Sequence, residues 1–251
     1  MFFKNKIIKK FRNKLKNIKI KQKETLKKER NKFISVLSHD IKTPILAQNQ
    51  GLELLLNNNF DRLLPKQKEI IEEIYQSNNF LLEIVLNSIF LAKYENENPK
   101  LNLEKIDIIE QIKDCCELIK TQANEKRQNI VLKIDTKEKI KLEADRKLIQ
   151  KIILNILSSS ISSGFEDSDI EILIKENNNS FSFCAKNKSV FMTKQKLKSL
   201  FEEKTNTSDL NQLGMSLNLN IAGKLIEAHN WDLIADSVNG ENSFGFCVEK
   251  I

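Results

Sequence analysis

Residues 33–50 read FISVLSHDIKTPILAQNQ, and the folding of this stretch decides how the rest of the chain is understood. Phe33, Leu37 and Ile41 recur at every fourth position and Leu46 follows, which is the spacing of one face of an α-helix. The helical pattern runs from about residue 25 to about residue 58, where Asn57, Asn58 and Asn59 break it. A second helix is expected from Leu64 and Pro65, because proline suits a first helical turn. It continues through Ile70, Ile74, Leu81, Val85 and Ile89 to about Tyr94. Two long helices joined by a short polar loop make an antiparallel hairpin. A single hairpin cannot bury the apolar stripes of both helices, so a second copy is the natural partner. The expected assembly is a homodimer with a four-helix bundle at its centre.

Downstream of the hairpin, ENENPK at 95–100 marks a boundary by its polarity and by Pro99. Beyond it come short β-like runs: LNLEKIDI, NIVLKID, KIKLEA, DIEILI, SFSFCA, WDLIAD and SFGFCVE. Helical stretches near 108–126, 145–162, 194–203 and 215–229 alternate with them. Val238, Asn239 and Gly240 lie between the last two runs and form a hairpin-turn signal. The expected fold class is therefore α+β and multidomain, with a helical hairpin followed by a sheet backed by helices. The domains are a basic arm over 1–24, the hairpin over 25–97 and the sandwich over 98–251. There is no internal repeat.

Upstream, residues 1–32 hold fourteen Lys and Arg against Glu24 and Glu29, which takes up more than the whole +7 net charge of the chain. Within the arm Phe3, Ile7, Phe11, Leu15 and Ile18 fall on one helical side with lysines around the rest. Such a segment suits an anionic lipid surface, could contact nucleic acid, or simply extends the next helix. Nucleic acid is not the expected partner of the chain as a whole. No apolar run reaches the roughly 18 residues of a membrane span, and the lysine-studded N-terminus is unlike a signal peptide. Cys115, Cys116, Cys184 and Cys247 make no CxxC pair, so neither a disulfide frame nor a zinc site is indicated. These features fit a reducing cytoplasm, with the arm able to touch the inner membrane face.

The chemistry centres on His39, Asp40, Thr43 and Pro44. Thr43 lies one helical turn after His39 and on the same face, so both can address one ligand. A carboxylate at Asp40 can accept a proton from one ring nitrogen and raise the nucleophilicity of the other, the base-plus-nucleophile arrangement of covalent catalysis. Pro44 lacks an N–H, so the carbonyl of Asp40 loses its helical partner and a bend is expected. Thr43 can hold a water in line for attack on a phosphorylated partner. The plainer alternative is an ordinary helix histidine beside an incidental proline.

The run FISVLSHDIKTPI resembles the phosphoacceptor motif of sensor histidine kinases, in which a dimerising hairpin precedes an ATP-binding α+β domain. The resemblance covers roughly residues 25–250. It implies that His39 is phosphorylated, that Asp40 is its acid–base neighbour and that Thr43 aids dephosphorylation of a response-regulator receiver domain. DRKLIQKIILNILSSSISSG resembles the family's asparagine box, which implies Asn155 for Mg²⁺ and Ser159 at a second phosphate- and metal-contacting position. The basic and aromatic residues that usually follow are Ser162 and Ser163 here. LKSLFEE resembles the phenylalanine box around Phe201. Counting back from it, the adenine-reading DxGxG motif falls on Asn187, Ser189 and Phe191, with no carboxylate and neither glycine.

GMSLNLNIAGKLIEAHN aligns with the final glycine-rich box as Gly214, Ser216 and Asn218, one glycine of three. His229 at the end of that helix is read as structural. Glycines in a phosphate loop reach positive φ and let N–H groups approach phosphate. An ordinary residue held that way costs roughly 1–3 kcal/mol, which asparagine tolerates better than serine. The resemblance thus implies ATP and Mg²⁺ as cofactors at an eroded site. It leaves three readings: a histidine kinase passing phosphate from His39 to a regulator aspartate, an ATP-independent phosphotransferase or phosphatase, and a non-enzymatic scaffold.

Overall fold

The computed structural model describes residues 25, 26, 29, 32–34, 36, 38–57, 63–97, 100–135, 139–202 and 210–249. The basic arm over 1–24 lies outside them. The chain divides into two compact units, Met1–Pro99 and Lys100–Ile251.

In the first unit, helix α1 runs over 38–56, and the described residues before it are helical as well. It continues through Pro44 and ends at a turn on Asn57. Helix α2, Pro65–Glu97, starts at the expected proline. Its entry is closed by the Leu64 N–H, which donates to the Gln67 side chain at 3.0 Å, one half of a capping box. The two helices are antiparallel neighbours: Asn49 Nδ2 donates to Asn79 at 2.6 Å, Asn78 Nδ2 to Gln48 at 3.3 Å and Tyr75 to Glu53 at 2.5 Å. Ile45 and Asn49 are buried against α2. Leu54, Ile70, Ile74 and Leu81 each remain nearly half exposed (47–49%) within one copy of the hairpin.

The second unit orders its elements as β1 (Glu104–Asp107), α3 (Ile108–Glu125), β2 (Asn129–Asp135), β3 (Lys141–Ala144), α4 (Arg146–Ser163), β4 (Asp169–Glu176), β5 (Ser180–Lys188), α5 (Lys194–Leu200), α6 (Leu210–Ala228), β6 (Asp232–Val238) and β7 (Glu241–Glu249). Strands β2-β4-β5-β7-β6 form one sheet in that order, with β2 and β4 parallel and the rest antiparallel, while β1 pairs with β3. Every β-like run found in the sequence is a strand. Alternation explains it: Ile170, Ile172 and Ile174 of β4, Phe181 and Phe183 of β5, and Phe244 and Phe246 of β7 are all completely buried. They point toward α4, whose Ile149, Ile152, Ile153, Ile156, Leu157 and Ile161 complete the core.

Helix starts follow local chemistry. Asp107 caps α3 and Asp145 caps α4, each accepting two backbone N–H groups, and Thr193 caps α5. The β6–β7 hairpin turns on two residues, since Val238 pairs directly with Glu241. Asn239 and Gly240 have φ of 53° and 77°, the doubly positive pattern of a type I′ turn.

The helix expected near 215–229 starts earlier than expected: α6 takes in Gly214, Ser216 and Asn218 from its start at Leu210, so the stretch aligned with the glycine-rich box is helical throughout. Neither Ser216 nor Asn218 has positive φ; the non-glycine residues that do are Arg127, Asp167, Asn230 and Asn239 among those described. With two glycines gone, nothing holds the backbone out of the helix, and Met215, Leu219, Ala222 and Ile226 supply a buried face at helical spacing.

Candidate functional site

His39 stands on the solvent side of α1, its side chain 79% exposed and that of its neighbour Asp40 65% exposed. Nδ1 lies 3.3 Å from the Asp40 carboxylate. With the proton on Nδ1 donated to that carboxylate, the lone pair of Nε2 faces solvent. Ser38 donates to the Ile34 carbonyl, and Thr43 Oγ1 donates to the His39 carbonyl at 2.8 Å. This back-bonding fixes the Thr43 rotamer and leaves its oxygen lone pairs free to accept from a water. His39, Asp40 and Thr43 are thus together on one exposed stretch of helix.

In the second unit, Asn155 and Ser159 sit on α4, Asn187 and Ser189 at the end of β5 and following it, and Gly214, Ser216 and Asn218 on α6; all are buried. Ser159 donates to the Asn155 carbonyl at 2.7 Å and Ser163 to the Ser159 carbonyl at 2.8 Å. Asn187 Nδ2 donates to Ser163 Oγ at 3.2 Å, and Ser189 to the Ser163 carbonyl at 2.7 Å. Ser163 therefore ties α4 to β5. Gly164, just after it, has no room for a Cβ, which would stand 2.8 Å from Gln128 Nε2 and 3.3 Å from Asn187 Nδ2.

Between α4 and α6, Ser158 receives Gln122 Nε2 at 3.3 Å and Asn218 Nδ2 at 3.5 Å. Ser216 donates to the Leu200 carbonyl at 3.4 Å, and Asn220 to the Phe201 carbonyl at 2.8 Å. Phe201, the phenylalanine-box residue, packs its ring 6.4 Å from that of Phe244, whereas Phe191 is 59% exposed. His229 accepts the Asp145 N–H on Nε2 at 3.2 Å and donates from Nδ1 to the Leu225 carbonyl at 2.7 Å, so both ring nitrogens serve the fold.

Fit to a nucleotide differs between the two ends of this site. At the base end Asn187 Oδ1 is buried without a partner, as is Asn155 Nδ2 beyond it. These are the orphaned polar atoms a ligand would satisfy. At the phosphate end the described residues do not present the arrangement that would hold a magnesium triphosphate. From residue 214 onward the N–H groups of α6 bond within the helix rather than facing a ligand. Ser159, at the second position of the asparagine box, is wholly buried and bonds back to the Asn155 carbonyl. Sequence reasoning did not find Gln122, Ser158, Asn220 or Asn242, because only the pairing of strands and packing of helices brings them here.

Known proteins match both units. The model of the His Kinase A (phospho-acceptor) domain matches residues 29–97. An uncharacterised sensor-like histidine kinase of Rhizobium meliloti is 24% identical over 224 residues, 88% of this chain and 42% of the relative. The sensor protein kinase WalK of Staphylococcus aureus is 22% identical over 233 residues, 89% of this chain and 54% of the relative. The non-motile and phage-resistance protein of Caulobacter vibrioides is 23% identical and is covered to 27% of its length. The chain thus spans about a quarter to about half of the curated relatives it matches.

Among solved structures, full-length ShkA in complex with AMPPNP superimposes with a TM-score of 0.65 at 20% identity, covering 87% of this chain and 46% of that one. The catalytic domain of histidine kinase ThkA superimposes at 0.53 and 18% identity over 59% of this chain and 96% of that one. The second unit therefore has the fold of histidine-kinase catalytic domains. An exposed histidine on a helical hairpin and the phospho-acceptor match over that hairpin agree: residues 29–97 are a His Kinase A (phospho-acceptor) domain, followed in the chain by a unit with the histidine-kinase catalytic fold, and the chain as a whole is similar to sensor histidine kinases.

Proposed function

We propose that the chain carries a phosphoryl group on Nε2 of His39 and exchanges it with an aspartate of a response-regulator receiver domain. The observation that carries this reading is the exposed imidazole with a carboxylate 3.3 Å from its Nδ1. Nε2 attacks the phosphorus of the aspartyl phosphate; the N–P bond forms, the acyl O–P bond breaks and the regulator's carboxylate leaves. The positive charge that develops on the ring is balanced by Asp40 through the Nδ1 proton. Transfer outward is the reverse. Thr43, with lone pairs free, positions water for hydrolysis of the regulator's aspartyl phosphate.

The AMPPNP complex of ShkA supports a nucleotide as a ligand of the second unit. The helical course of α6 through Gly214, Ser216 and Asn218 favours the ATP-independent reading, in which phosphate reaches His39 from a charged regulator. The test is to offer purified protein either γ-labelled ATP with Mg²⁺ or a labelled phosphorylated receiver. Label is expected on the hairpin from the receiver and not from ATP. Label from ATP would make the chain an autonomous kinase, and label from neither would leave a scaffold.

The half-exposed leucines and isoleucines of the hairpin support a homodimer, which light scattering should report as twice the chain mass. Among the described residues no helix is long and apolar enough to cross a membrane. The basic arm is assigned to the cytoplasmic membrane face, on its charge and apolar spacing. Deleting residues 1–32 is expected to abolish sedimentation with anionic vesicles; equal sedimentation of both forms would remove that role.

A further inference from the structure

The stretch KNKSVFMTKQKLK, residues 186–198, holds five lysines and no acidic residue, with Val190, Phe191 and Met192 at its centre. It runs from the end of β5 through a five-residue link, 189–193, into α5. The link is fastened at two points: the Ser189 N–H donates to the Gly240 carbonyl at 2.9 Å, and the Met192 N–H to Ser237 Oγ at 2.9 Å. Val190 and Phe191, between the two fastenings, stand 68% and 59% exposed. Phe165, whose N–H donates to the Lys188 carbonyl at 3.0 Å, and Val238, next to Ser237, are each 52% exposed. Three connections at one end of the second unit thus present four large apolar side chains to solvent. Single exposed apolar residues are ordinary; a group of them rimmed by charge marks an interaction surface. Loop tips that serve only the fold carry Gly, Asn, Asp or Ser instead.

The charges around the tip say what it meets. The acidic groups close to it are engaged within the protein: Glu166 and Asp167 with Arg127 at 2.7 Å, Glu202 with Lys198 at 3.7 Å, and Glu241, which also lies in the field of Lys188, with Lys186 at 2.9 Å. Lys188, Lys194 and Lys196 are exposed and make no ion pair among the described residues. The matching surface is therefore anionic at the level of the lysines and apolar beneath it. A bilayer with anionic headgroups has those two layers in that order. An acidic protein face supplies the charge without the apolar layer, and a nucleic acid offers stacking to the rings but nothing to Val190 or Val238. The N-terminal arm repeats the same combination independently, with Phe3, Ile7, Phe11, Leu15 and Ile18 set among its lysines.

We propose that the Val190–Phe191 tip inserts into an anionic lipid surface, with Lys188, Lys194 and Lys196 on the headgroup phosphates, and gives the chain a membrane contact separate from its arm. Because the link is already fastened to the β6–β7 hairpin, little order is lost when it docks. A weak contact of this kind adds to the arm's by raising the local concentration of one when the other is bound. The inference does not depend on phosphoryl transfer to His39, and a readout placed at residue 191 lets the tip and the arm fail separately.

The test is fluorescence of the full chain carrying Phe191→Trp, with the wild-type spectrum subtracted to remove Trp231. Vesicles of phosphatidylglycerol are expected to move the introduced indole's emission to the blue, and acyl chains labelled with bromine to quench it. Vesicles of phosphatidylcholine should do neither. In the otherwise native chain, Val190→Ser with Phe191→Ser should weaken sedimentation with phosphatidylglycerol vesicles by at least about tenfold, since two apolar side chains no longer leave water. Both positions are exposed, so the melting temperature should stay at the wild-type value. Leu118→Ser, at a residue 63% exposed on α3, is the control and should bind like wild type. Three results would each overturn the inference: an indole that stays in water while the chain sediments through its arm, a doubly substituted chain that binds like wild type, or a blue shift as large with soluble polyglutamate as with vesicles. The last would make the tip a contact for an acidic protein.

Discussion

In His39→Gln, phosphoryl acceptance by the hairpin is expected to fall below detection, and in Asp40→Asn to slow by about 10²-fold, near the low end of what general acid–base groups contribute. Glutamine keeps the size and polarity of the side chain but has no nucleophilic nitrogen. Because the ring is 79% exposed, its replacement changes stability by only about 0.5 kcal/mol or less, so a melting curve should not distinguish the variant from wild type. Asparagine at 40 still accepts the Nδ1 proton and so keeps the ring oriented. What it removes is the negative charge that balances the imidazolium as the N–P bond forms. A contact of 3.3 Å in open solvent is worth less than a buried one, which sets the effect at about 10² rather than 10⁴. Rapid-quench initial rates from a labelled receiver would measure both. An unchanged rate in Asp40→Asn would remove the carboxylate from the machinery and leave histidine acting alone.

How much of this was legible in the sequence depends on how local the determinant is. The hairpin helices follow from fourfold spacing and a proline at a first turn, and the β6–β7 turn from Asn239 and Gly240; each is set by residues within a few positions of one another. The strands were legible for the same reason, their buried and exposed residues alternating on a sheet with one packed face. The order β2-β4-β5-β7-β6 was not, because it depends on which faces cover one another across more than 100 residues. The helix near 215–229 was legible because Met215, Leu219, Ala222 and Ile226 recur at spacings of four, three and four; its earlier start at Leu210, through the stretch aligned with a glycine-rich box, was not. Where a family's glycines are missing, the local period outweighs the inherited loop. That His39, Asp40 and Thr43 lie together on one exposed turn of helix was legible because their spacing is local. The position of Asn242 was not, because it stands opposite Asn187 only through pairing with a strand more than 50 residues earlier.

The strongest effect on stability is expected at Gly245, which faces Cys184 across the β5–β7 ladder. A Cβ added there would stand 2.0 Å from the Phe183 carbonyl oxygen and 2.8 Å from Cys184 Cα. Both are backbone atoms, so no side-chain rotation relieves the clash; either β7 moves away or its register breaks. Neither is local. β5 is paired on both sides, and Phe246, next to Gly245, packs its ring 5.3 Å from Phe183 and 4.9 Å from Trp231. Lifting β7 would disturb both ring contacts at once. Overpacking in a core costs about 1–3 kcal/mol and more when the backbone must yield, so Gly245→Ala should lose at least about 3 kcal/mol. For a chain of this size that lowers the melting temperature by roughly 6–12 °C. Gly51→Ala is the informative control, because its Cβ would meet nothing within 4 Å inside α1. It should instead gain about 0.5–1 kcal/mol from helix propensity. Two glycine-to-alanine changes of opposite sign would be hard to explain by composition or expression. If Gly245→Ala melted like wild type, the close approach of β5 and β7 would be wrong, and with it the register that sets Asn242 beside Asn187.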